Sequence, residues 1–80
     1  MKLPIRNYLP TPLTIFIEPI CFQYEIPVGG EATITLEDGH AHSIDIHPDQ
    51  WVSIWNEGNK SAVVEIFDLH QFSSPGKGVV

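Results

Sequence analysis

Apolar and polar residues alternate one for one along most of this chain, and a period of two suits strands and leaves almost no room for helices. The clearest stretch is Ser43 to Trp55. There Ile44, Ile46, Val52 and Ile54 fall on one face of a β-hairpin, and Asp45, His47, Trp51, Ser53 and Trp55 fall on the other. The second face carries both tryptophans of the protein. A three-residue loop, Pro48-Asp49-Gln50, keeps the two faces in phase by setting Ile46 opposite Val52 and His47 opposite Trp51.

The remaining segments read in the same way. In the first twelve residues Pro4, Pro10 and Pro12 fix φ and remove backbone donors, which excludes a helix and leaves Ile5-Arg6-Asn7 as a short strand. Leu13, Ile15 and Ile17 then alternate with Thr14, Phe16 and Glu18, and Phe22, Tyr24 and Ile26, expected inward, alternate with Gln23 and Glu25. Between these two runs a Pro19-Ile20 turn of type I or II has the wrong twist for a tight hairpin. The expectation is therefore a kink or bulge that carries the chain to a second sheet.

Pro27-Val28-Gly29-Gly30 is a turn, and Ile34 and Leu36 point inward from the strand after it. An odd-length loop, Asp38-Gly39-His40, predicts a hairpin with Ile34 opposite Ile44 and Leu36 opposite His42. Past the Asn56–Lys60 turn, Ala62, Val64 and Ile66 form the inner side of a last strand. Pairing Ile54 with Val64 would bring Phe67 opposite Trp51 and Val63 opposite Trp55. Periodicity ends at Asp68, so the reading is one domain over 1–70 and a flexible tail over 71–80.

Together these elements predict an all-β fold, a small antiparallel sandwich or barrel of six to seven short strands joined by hairpins. Eighty residues bury a thin core. The single Cys21 excludes an intrachain disulfide, and no Cys/His spacing matches a structural zinc site, so stability must come from packing or self-association. With no apolar run long enough to span a bilayer and no leader-like start, the expectation is a soluble, cytoplasmic protein. Ten acidic residues against four basic ones give a net charge of −6, which opposes direct contact with nucleic acid and suits a basic partner instead. One function consistent with that charge is an acidic inhibitor of a nucleic-acid-binding protein.

Asn7, the spacing to Pro12-Leu13-Thr14, and the run Ile17-Glu18-Pro19 with Tyr24-Glu25-Ile26-Pro27-Val28-Gly29 resemble a group of short uncharacterised bacterial all-β proteins. Those carry Pro-Leu-Thr, then Glu-Pro-Trp-Gly, then Tyr and Pro-Pro-Gly. The resemblance covers roughly residues 5–30 and departs at Ile20 and Cys21, where the group has Trp and Gly, and at Val28, where it has Pro. It implies a bacterial origin and no particular activity, cofactor or catalytic residue.

No catalytic or nucleotide motif of high specificity is present. Trp51, Trp55 and Phe67, joined by His47 and Phe16, would make an outer sheet face too apolar to be left to water. Such a face suits a homo-oligomer interface, a cover formed by the chain's own termini, or a platform on which Trp rings stack against sugar rings or a partner's aromatics, with Asp45, Glu65 and Gln23 as polar contacts. His40, His42 and His47 have the spacing H-x-H-x4-H, which invites a divalent transition metal with Asp38, Asp45 and Asp49 as nearby carboxylates. Strand parity opposes that reading, because His47 faces away from the other two. Catalysis would need Glu18, Glu25, Asp45 and Glu65 to pair across strands, or Cys21 to be activated; the expectation is solvated carboxylates and a small buried thiol. The sequence thus favours a non-enzymatic binding or assembly module, with metal binding as the alternative.

Overall fold

β-branched and aromatic residues at every second position build seven strands, and in the computed structural model, which describes residues 1–68, no helix accompanies them. The strands are β1 (Lys2–Arg6), β2 (Leu13–Glu18), β3 (Phe22–Ile26), β4 (Glu31–Thr35), β5 (Ser43–His47), β6 (Trp51–Trp55) and β7 (Val63–Phe67). They form two sheets, one ordered β1-β4-β7 and the other β3-β2-β6-β5. All pairs are antiparallel except β2 with β6, which run parallel. The all-β sandwich read from the sequence is the architecture observed, and the proposed tail over 71–80 lies outside the described residues. No helix among the described residues is long and apolar enough to cross a membrane.

The core lies between the inner faces. Ile15 and Ile17 of β2, Ile26 of β3, Ile34 of β4 and Ile54 of β6 are each at most 1% exposed. Full burial of such a side chain contributes about 1.5–3 kcal/mol, so these five supply much of the drive to fold. Leu13, Ala32, Leu36 and Val52 complete the buried cluster, with Leu3, Ile5, Tyr24 and Val64 packed against it.

One polar residue is built into this interior. Asn7, only 1% exposed, donates from Nδ2 to the carbonyls of Thr11 (2.9 Å) and Ile26 (3.0 Å), and its Oδ1 accepts from the Leu9 amide at 2.8 Å. Its backbone joins the same corner through Asn7 N–H to Gly30 O and Gly29 N–H to Asn7 O, both at 3.0 Å. A single amide thus ties the β1–β2 connection to the β3–β4 turn, leaving the buried carbonyls satisfied.

The order of strands within the sheets departs from the sequence reading in four places. β2 and β3 form a hairpin in one sheet, with Ile17 opposite Phe22. The reversal uses four residues rather than two, with a cis Glu18–Pro19 bond and Cys21 at φ 64°, so the twist objection to a two-residue loop does not apply. β4 and β5 make no hairpin, because β4 already has β1 and β7 on its two edges; Leu36 to His42 is instead a crossing between sheets.

Likewise β6 lies between β2 and β5, so the expected Ile54–Val64 pair is replaced by Ile17–Ile54, and Val64 faces Ile34. Finally, β1 runs from Lys2 and includes Pro4, which an edge strand tolerates because its outward side needs no donor.

Three strands cover four incompletely. Ile44 and Ile46 share the inward parity of Ile54 and Val52, their register partners, yet they are 45% and 82% exposed. The β5 side of the larger sheet therefore overhangs the sandwich.

Candidate functional site on the outer aromatic face

The outer face of the four-stranded sheet collects aromatic groups from three strands. Parallel pairing sets Thr14 beside Trp51 and Phe16 beside Ser53, while the β5–β6 hairpin sets His47 opposite Trp51, as its loop length requires. Gln50, at φ 62°, occupies the left-handed position that closes this three-residue loop, with its amide donating to His47 O at 3.1 Å.

Trp51 is the centre of the arrangement. The His47 ring lies on it with centroids 3.6 Å apart and planes 8° from parallel, and Phe16 meets it edge-on at 5.1 Å and 79°. Beneath them Ser53, although its parity is outward, is only 4% exposed, and its Oγ is hydrogen-bonded to His47 Nε2 at 3.0 Å. Trp55 is fixed separately, its indole N–H donating to Asp45 Oδ2 at 3.0 Å. The two indoles therefore share a face but do not form one cluster.

A groove of about 400 Å³ opens along this face. Phe16 and Trp51 supply its apolar wall, and Thr11, Thr14, Asp49 and Gln50 supply polar groups. That volume lies in the range of small-molecule sites, and aromatic walls with a few convergent polar groups are their usual chemistry. Of its lining among the described residues, Asp49 alone is ionisable at neutral pH.

Phe67 is not part of this face. It lies on β7 in the other sheet, opposite Glu31, because β7 pairs with β4 rather than β6. Glu65 is displaced with it and faces Thr33, whereas Gln23 does lie on the aromatic side, opposite Phe16. The cross-strand carboxylate pairs that catalysis would need do not form: Glu18 faces Trp55, Glu25 faces Thr14, Asp45 faces Ser53 and Glu65 faces Thr33. Cys21 is exposed in the β2–β3 turn rather than buried.

The three histidines separate as their parity implied. His40 and His42 are neighbours, with ring centroids 6.0 Å apart, while His47 belongs to the Trp51 stack. His42 Nδ1 accepts the Glu57 amide at 3.0 Å, so its Nε2 carries the proton and donates to Glu37 O at 2.7 Å. Both ring nitrogens are thereby engaged, Nε2 bracing the Leu36–His42 crossing internally and Nδ1 tying it to the β6–β7 loop. His40 Nε2 lies 3.2 Å from Glu37 Oε1, which also accepts the Asn59 amide at 2.6 Å. Those bonds, the Asn59 amide foremost, hold the Glu37 carboxyl below its ordinary range. Among the described residues no group of three or more His, Cys, Asp or Glu side chains is arranged to hold a metal ion.

Sequence reasoning missed the polar half of the groove. Gln50 read only as a turn residue and Asp49 as a turn residue or a carboxylate near the histidines, and Thr14 comes beside Trp51 through a parallel pairing that no local signal announces. The fold and site define a small β-sandwich with one aromatic, grooved outer face. Comparison of the chain with protein-family models, with curated proteins and with solved structures returns no match.

Proposed function

We propose that this chain is a binding module rather than an enzyme, and that its working surface is the groove on the aromatic outer face. The observation that carries this reading is the Phe16–Trp51–His47 cluster, held rigid by ring stacking and by Ser53 and bordered by the polar groups of Thr11, Thr14, Asp49 and Gln50. A flat indole wall beside hydroxyl and amide groups suits a neutral ring with an apolar face and polar edge, of which a sugar ring is the simplest example.

The test is titration with maltose and with cellobiose, followed by tryptophan fluorescence and by amide shifts of residues 11–16 and 49–51. Saturable changes confined to those amides are expected, abolished in Trp51→Ala and retained in Trp55→Phe. Equal responses in Trp51→Ala and the parent chain, or no response to either sugar, would defeat the proposal.

A further inference from the structure

The β5 strand has unused pairing capacity on the opposite side from β6. It terminates its sheet, so among the described residues one row of its backbone donors and acceptors has no strand partner. Edge strands are normally guarded by Lys, Pro or inward charge. β1 has such guards in Lys2, Pro4 and Arg6, whereas within Ser43–His47 the one charged residue is Asp45, and it is held on the outer face by Trp55. On the inner side Ile44 and Ile46 extend past the cover of the three-stranded sheet. An unguarded edge beside two exposed isoleucines is a docking surface.

We propose that its occupant is a second copy of this chain, with β5 pairing antiparallel to its own dyad mate so that the two four-stranded sheets become one of eight. Face parity permits three such registers with the dyad on a strand residue near the middle, and charge chooses among them. Centring on Asp45 sets that carboxylate against itself, which is repulsive. Centring on Ile44 sets Ile46 against His42, whose ring is already clamped between Glu37 and Glu57.

Centring on Ile46 sets the most exposed isoleucine on its own mate. In that register Asp45 stands opposite His47 of the second copy, twice over, on the outer face. Both groups have capacity left for it: Asp45 uses Oδ2 for Trp55, and His47 uses Nε2 for Ser53, which leaves Oδ1 and Nδ1. Ile44 then reaches Pro48 of the second copy, whose missing N–H ends the ladder. The inference stands on the β5 edge and is independent of what the groove binds.

About five residues a side make a small interface, so a weak, concentration-dependent association is expected. Sedimentation equilibrium of the full chain, from about 1 to about 500 µM, reads it directly. The parent chain should dimerise, and Ile46→Lys, at a site already 82% exposed, should weaken dimerisation at least about tenfold with an unchanged thermal melt.

Register has its own test. Asp45→Lys alone should associate more weakly, since it removes the acceptor that faces His47, and His47→Asp alone should be monomeric, since it sets carboxylate against carboxylate twice across the dyad, whereas a mixture of the two chains should form the heterodimer. A parent chain monomeric throughout, as when its residues 69–80 cover the edge, overturns the proposal. So does an Ile46→Lys chain that dimerises like the parent, or a mixture no more associated than its components. Sugar titration of monomeric Ile46→Lys reads the groove separately, so either idea can fail without the other.

Discussion

His47 lies flat on Trp51, 3.6 Å away and within 8° of parallel, and Ser53 holds it there through Nε2. The stack should appear in solution as an upfield ring-current displacement of the His47 ring protons. Trp51→Leu should abolish that displacement, and Ser53→Ala should reduce it. Ser53→Ala should also cost about 1 kcal/mol in urea unfolding, the usual worth of one hydrogen bond.

Asn7 is the polar keystone at the opposite corner. Asn7→Ala removes the side-chain donor of the buried Ile26 carbonyl and the partners of the part-buried Thr11 carbonyl and Leu9 amide. A loss of about 3 kcal/mol is expected in denaturant melts. Asn7→Asp should rescue none of it, since a carboxylate donates nothing to the two carbonyls and would be charged in a buried place.

Gly58 lies close against the inter-sheet crossing. A Cβ placed there would stand 2.8 Å from Glu37 Oε1 and 2.9 Å from Glu37 Cβ. Gly58→Ala should therefore displace the Glu37 side chain from the Asn59 amide and cost about 1–3 kcal/mol, checked by thermal unfolding and by loss of protection at the Asn59 amide.

Glu37 also gives the fold a dependence on acid. Its carboxyl is held below the ordinary value of 4.5, chiefly by the Asn59 amide. The unfolded chain therefore binds that proton more readily than the folded one. The stabilisation is complete above 4.5 and is lost as pH falls through the lowered folded value. Glu37→Gln keeps an oxygen for Asn59 but cannot ionise, so its urea midpoint should fall less steeply on acidification than that of the parent chain.

How much of this could be read from the residues alone divides along distance in the chain. Alternation gave the face of every residue in β2, β5 and β6, and loop length gave the His47–Trp51 register, because both depend on neighbours a few positions apart. Strand partners were another matter. Turn residues such as Asp38-Gly39 mark where the chain reverses but not which sheet it enters next, so the β4–β5 and β6–β7 hairpins were plausible and are absent. Phe67 left the aromatic face for that reason, and Thr14 joined it unannounced. Parity misjudges burial at Phe22, Ile44, Ile46 and Ile66, all of them exposed, since it says which way a side chain points and not whether anything lies above it.

Each sheet draws on both ends of the sequence: β1 with β4 and β7 in one, β2 and β3 with β5 and β6 in the other. Cutting the chain at the Leu36–His42 crossing would therefore leave two fragments, neither of which holds a complete layer. The parallel β2–β6 seam knits them back together along its whole length. Such a molecule is poorly suited to being divided into autonomous halves and well suited to reconstitution from two co-expressed pieces, with the seam as the template on which they recombine.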